Sequence, residues 1–192
     1  MSDKIIDIRL HGRGGQGVMT SSYLIAEAAL LEDKFVHAFP TFGPERSGAP
    51  IAAFARISDE KFYMKTEVYS PDIVVVQDPS LLSQIDVTSG LQEGGWVLIN
   101  TNDPSKTDVQ AIKNKRPDAK LATVDASKIA QEEIGLAVTN TAILGALCKI
   151  TEDKIINLDV LEEAIKSRFK GKGAIAEKNI RAIKRSYSEV RN

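Results

Sequence analysis

The residues best placed to do chemistry stand in a row, Gly12-Arg13-Gly14-Gly15-Gln16-Gly17, in which Gly12, Gly14 and Gly17 fit the pattern G-x-G-x-x-G. Glycines at this spacing allow backbone dihedrals closed to other residues. The main-chain N–H groups they leave bare, with the dipole of a following helix, favour a phosphate or carboxylate. Arg13 adds a formal charge, and Gly15 and Gln16 complete a turn able to bind a cofactor phosphate. A second reading stands beside the first: the glycines let a helix sit tightly on the sheet or on a partner chain. A dinucleotide is disfavoured, because the position about 20 residues downstream that should carry a ribose-gripping acid falls at Val36, His37 and Ala38.

Arg46 follows Glu45 in a stretch punctuated by Pro40, Gly43, Pro44, Gly48 and Pro50. A guanidinium fixed in such a loop either clamps a phosphate in bidentate fashion or pairs with Glu45 or an acid of a neighbouring subunit. His11 and His37 have no Cys or carboxylate at ligand spacing, so they read as satisfied loop histidines and no metal site is expected. Cys148 follows the apolar run Ala142-Ile143-Leu144-Gly145-Ala146-Leu147 and reads as core. Asn140 and Thr141 stand where a helix cap is expected. No residue is assigned a catalytic role. Arg181, Lys184 and Arg185 are balanced by Glu177 and Glu189, the pattern of a solvated helix face.

These residues need a scaffold, and the sequence outlines one. Ile5 to Leu10 is short and β-branched and runs into the glycine turn, as a first strand would. Val18 to Leu31 is rich in Ala and Leu, with Leu24, Ala28 and Leu31 at helical spacing. Lys34 to Phe39 reads as a second strand. Ile51 to Ile57 and Lys61 to Val68 flank Ser58-Asp59-Glu60, which predicts an antiparallel hairpin. Ile73-Val74-Val75-Val76 and Trp96-Val97-Leu98-Ile99-Asn100 read as central strands buried on both faces, and Lys120 to Val124 as a further short strand. Helices are expected at Ala126 to Glu133, Asn140 to Lys149, Leu158 to Phe169 and Ala174 to Val190. The fold class that follows is α/β: a three-layer α/β/α sandwich on a mainly parallel, Rossmann-like sheet, with an antiparallel hairpin and a helical C-terminal tail.

Composition narrows the function. A chain of 192 residues, 43% apolar, is expected to form a single domain over 1–192. With 25 basic against 26 acidic residues it lacks the charge expected of a partner for nucleic acid or an acidic membrane. One cysteine makes neither an internal disulfide nor an iron–sulfur or zinc site by itself. With no signal peptide and no run of the ~20 apolar residues that a span needs, a cytoplasmic location is expected.

Three segments, His11 to Leu30, Phe39 to Pro50 with Ala53 to Ser58, and Asn140 to Leu147, together resemble the gamma subunits of 2-oxoacid:ferredoxin oxidoreductases. The resemblance runs from about Ile8 to Leu147, and the Gly-Pro-Glu-Arg-x-Gly-Ala-Pro form at Gly43 to Pro50 is typical of pyruvate and branched-chain enzymes. It implies a complex that decarboxylates a 2-oxo acid on thiamine diphosphate with magnesium, passes electrons through iron–sulfur clusters to ferredoxin and forms an acyl-coenzyme A. It also implies alpha, beta and delta partner chains that carry those groups, since this chain has neither a cysteine cluster nor a G-D-G motif. None of the cofactors is then held by this chain alone. Its expected share is assembly and a contact to coenzyme A through the turn Gly12 to Gly17 and Arg46. The rival reading is a free-standing nucleotide-binding or NAD-dependent protein.

Overall fold

In a computed structural model, which describes residues 5–41, 48–64 and 66–192, β1 (Ile6–Arg13) is the strand on which the architecture turns. Its alternation sends Ile6, Ile8 and Leu10 into the larger apolar core, and Asp7, Arg9, His11 and Arg13 to the opposite face. The strand outlasts its expected end at Leu10, because β3 (Pro50–Ser58) stays in register with it as far as Pro50 opposite Arg13. On its other side β1 pairs in parallel with β4 (Ile73–Val76), followed by β5 (Trp96–Asn100) and β6 (Lys120–Val124). With β2 (Phe35–Pro40) beyond β3, the strand order is β2-β3-β1-β4-β5-β6.

One face of this sheet is covered by α1 (Val18–Leu31), α3 (Ala126–Glu133), α4 (Thr139–Ile150), α5 (Leu158–Arg168) and α6 (Gly173–Glu189). α1 buries Leu24, Ile25, Ala28 and Ala29, while Leu31, which its spacing points inward, is 52% exposed. α4 is buried along almost its whole length and packs on α6. Gly145 makes that approach possible, because a Cβ there would lie 1.9 Å from the carbonyl oxygen of Ile183. The Ser186 hydroxyl adds a bond to the Ala142 carbonyl at the same crossing. The opposite face carries a smaller cluster, in which α2 (Thr107–Lys115) sets Val109 and Ile112 against Val74, Val76, Val97 and Ile99. The chain is a three-layer α/β/α protein with a mainly parallel sheet.

Two expectations change. The antiparallel pairing exists, but its strands are β2 and β3, and among the described residues Lys61 to Val68 forms no strand. That segment instead crosses the β1–β3 pair, where its carbonyls at Met64 and Thr66 accept from buried Arg56. α2 is a helix beyond those expected, too polar for a readable apolar stripe. The basic run in α6 is paired, with Arg181 on Glu133, Lys184 on Glu162 and Arg185 on Glu132, Glu133 and Glu189, rather than with Glu177. Among the described residues no helix is long and apolar enough to cross a membrane.

Candidate functional site

β1 and β4 are adjacent parallel strands whose following segments leave to opposite faces, so the crevice at their carboxyl ends is the switch point at which open α/β sheets bind ligands. The glycine turn lies there. Gly15 and Gly17 take φ of 96° and 77°, a region that favours glycine. Gly12 and Gly17 are also required sterically: a Cβ at Gly12 would come 2.5 Å from Val18 Cγ2, and one at Gly17 2.4 Å from Asn140 Nδ2.

Much of the turn's donor capacity is used within the protein. Arg13 N–H donates to Gln16 Oε1 (2.8 Å), Gly14 N–H to the Ala49 carbonyl (2.9 Å) and Gln16 N–H to the Arg13 carbonyl (3.0 Å). The Arg13 guanidinium donates to Asp78 Oδ2 (3.1 Å), Ser80 Oγ (2.8 Å) and the Gly48 carbonyl (3.1 Å), and Gln16 Nε2 also reaches Asp78 Oδ2 (2.8 Å). Asp78 is thus the hub that ties the turn to the end of β4. Desolvation opposes ionisation of its carboxyl, but the bonds from Ser80 and Gln16 and the charge of Arg13 outweigh it and hold the pKa below the usual range. Among the described residues the N–H groups of Gly15 and Gly17, and those of Val18, Met19 and Thr20 in the first turn of α1, meet no protein acceptor.

Beneath the turn runs a buried polar chain. Gln77 Nε2 donates to Ser21 Oγ (2.5 Å), and Ser21 Oγ donates to the Asn140 carbonyl (2.8 Å). Asn100 Nδ2 donates to the Gln77 carbonyl (2.8 Å) and to Ser127 Oγ (2.9 Å). Side chains from α1, β5, α3 and the end of β4 are thereby fastened to the first turn of α4. Asn140 is not the cap its position suggests: α4 begins at Thr139 after Val138, and Asn140 Oδ1 accepts from the next N–H, Thr141 (2.8 Å).

Both histidines lie within strands rather than loops. Buried His11 accepts from Arg9 Nε at its own Nε2 (3.0 Å), and burial together with the Arg9 charge pushes its pKa down to about 4. Burial also lowers the pKa of Arg9, against the pull of Asp86, while its other donors reach the carbonyls of Val87 (3.0 Å) and Ser89 (2.6 Å). Cys148 is 1% exposed and burial raises its pKa strongly, which makes it a poor nucleophile and a poor iron ligand. Among the described residues no cluster of His, Cys, Asp or Glu is arranged to hold a metal ion. Glu45 and Arg46 lie outside the described residues. The stem of their loop is nonetheless fixed on the turn, since Gly48 N–H donates to the Gly14 carbonyl (3.0 Å). The two sequence-predicted stretches therefore meet. Asp78, Ser80 and Gln77 were missed; their signal was a polar Gln77-Asp78-Pro79 closing a fully apolar strand.

A family model described as pyruvate ferredoxin/flavodoxin oxidoreductase matches residues 7–189. The chain belongs to that family. Within it, the chain is 50% identical, over 97% of both sequences, to the pyruvate/ketoisovalerate oxidoreductases common subunit gamma of Thermococcus litoralis, and equally so to that of Pyrococcus furiosus. It is 41% identical to the pyruvate synthase subunit PorC of Methanocaldococcus jannaschii, again over 97% of both. The crystal structure of the pyruvate oxidoreductase subunit PORC from Thermotoga maritima superposes with a TM-score of 0.83 at 40% identity, covering 98% of each chain. This family member is a gamma-type subunit of a pyruvate/2-oxoacid:ferredoxin oxidoreductase, and hence one chain of a multi-subunit complex.

Proposed function

We propose that this subunit serves a pyruvate:ferredoxin oxidoreductase, in which pyruvate is oxidatively decarboxylated on thiamine diphosphate with magnesium, ferredoxin is reduced through iron–sulfur clusters and acetyl-coenzyme A and carbon dioxide are formed. The observation that carries this is end-to-end likeness, 50% identity across 97% of both chains, to gamma subunits named for pyruvate and ketoisovalerate enzymes. A branched-chain 2-oxo acid is the second reading, favoured by the shared role stated in those relatives' names. Alpha, beta and delta chains carry the thiamine and iron–sulfur groups in this proposal, because Cys148 is a single buried thiol. The compartment proposed is the cytoplasm.

Within the complex the turn first fastens the β2–β3 loop to the sheet. A coenzyme A phosphate would then be held by the N–H groups of Gly15 and Gly17, with Arg13 set by its bond to Asp78, and Arg46 would be a further contact. Such a contact seats the acyl acceptor and neutralises its charge.

Native purification on a tag carried by this chain tests the proposal. Brown, thiamine-containing partner chains should copurify, and the preparation should reduce ferredoxin with pyruvate and coenzyme A. A colourless chain without partners, or reduction with 2-oxoisovalerate alone, overturns the pyruvate reading. In the assembled enzyme Arg46→Ala should raise the apparent KM for coenzyme A severalfold, and unchanged kinetics would remove Arg46 from the coenzyme site while leaving the subunit's membership intact.

A further inference from the structure

The two outermost strands of the sheet end differently. β6 has a partner beyond it: Thr123 N–H donates to the Arg191 carbonyl (2.7 Å) and Arg191 N–H to the Thr123 carbonyl (2.9 Å). β2 pairs with β3 alone among the described residues. The bonds flanking these strands show which main-chain groups of β2 remain. Thr41 N–H donates to the Ala52 carbonyl (2.8 Å) and Gly14 N–H to the Ala49 carbonyl (2.9 Å), so even-numbered residues of β3 serve β2 and odd-numbered ones serve β1. By the antiparallel alternation, Phe35, His37 and Phe39 turn their main-chain groups to β3, whereas Val36 and Ala38 turn theirs outward. Pro40 occupies an outward position, where its missing N–H costs no ladder bond.

Natural edges are blunted by charge, by proline or by a cover; here Pro40 closes one end of the strand, and no charge interrupts it. No charged residue lies between Phe35 and Pro40. Lys34, just before the strand, is turned away to Glu32 (2.6 Å) and the Ile155 carbonyl (2.9 Å). The strand is also complementary to itself. When a second copy is laid antiparallel about a two-fold axis at His37, Val36 meets Ala38 of the other copy, so each can exchange both outward bonds. On one face Phe35 then stands against Phe39 of the other copy, a favourable cross-strand aromatic pair. Phe35 is 43% exposed in the single chain.

We infer that β2 is a self-association edge, through which two copies of this chain join their sheets by antiparallel β2 pairing across a two-fold axis. A contact built on one short strand edge belongs at the weak end of interfaces, so it should be sought at about 100 μM chain. Sedimentation of the full chain at that concentration should give twice the monomer mass. Ala38→Pro removes an outward N–H and leaves the β3 ladder in place; Phe35→Asp changes only an exposed side chain. Both should return the mass to that of one chain, and Phe35→Asp keeps the test decisive if Ala38→Pro misfolds. Amide exchange at Val36 and Ala38 should slow as the wild-type concentration rises. A wild-type monomer at this concentration overturns the inference, as does a dimer that survives both substitutions while those amides exchange freely.

Discussion

The parallel and antiparallel halves of the sheet are held by different forces. β4, β5 and β6 lie between two apolar layers, with Val74, Val75, Val76, Val97, Leu98 and Ile99 almost wholly buried. β3 and β2 are backed by α1 on one face only; on the other, irregular chain and directional polar bonds do the holding. Arg56, 3% exposed, on β3 holds Asp7 of β1 with two contacts of 2.7 and 3.1 Å. The comparison teaches that the half built on packing tolerates little change of volume, while the half built on charge answers to loss of single partners. The antiparallel half also carries the edge inferred above to pair with a second copy.

The first way to break the comparison is Gly145→Ala in the packed half. The added Cβ would meet the Ile183 carbonyl at 1.9 Å, so α4 and α6 must separate, at an expected cost of about 3 kcal/mol or loss of the folded state. Urea unfolding reads it directly.

His11 sits on the seam strand between the halves and gives the pH test. Its folded-state pKa is about 4 against an ordinary value of 6.5, so on acidification the unfolded chain takes up the proton first. The stability linked to this group is therefore complete above about pH 6.5, falls as the pH drops towards 4 and is lost below it, amounting to about 3 kcal/mol. Unfolding curves of wild type and His11→Gln across that window should diverge by this amount. Parallel curves would mean that His11 is protonated in the fold.

Arg56→Met sharpens the contrast with the smallest effect. It keeps much of the side-chain volume but leaves Asp7 without its cation, for an expected loss of about 2 kcal/mol. If Met is neutral or stabilising, the antiparallel half is held by packing after all.

Much of this fold could be read in the chain, because period and punctuation agree wherever an element is apolar. α1 and α3 fall within their expected bounds, and the Ile73–Val76 strand announces a site buried on both faces. Reading failed where the decisive partners are remote. Lys61 to Val68 has strand-forming residues, but its carbonyls are drawn to Arg56 instead of to a ladder. α2 carries Val109 and Ile112 on an otherwise polar helix and gives too narrow a stripe to see. At the site, the glycine turn was legible as a local pattern. Its clasp was not, since Asp78 lies 65 residues from Arg13 in the chain and only the β1–β4 pairing brings them together.

The order of elements has a consequence for synthesis. Every strand, through Val124, is encoded before α3 to α6, the bulk of the cover over Ile8, Leu10, Val75 and Leu98. On the ribosome, the chain must therefore present an assembled or assembling sheet with α1 as its main roof until the later helices emerge. The apolar surface of that sheet is therefore covered only late in translation, the interval in which a chaperone has most to protect.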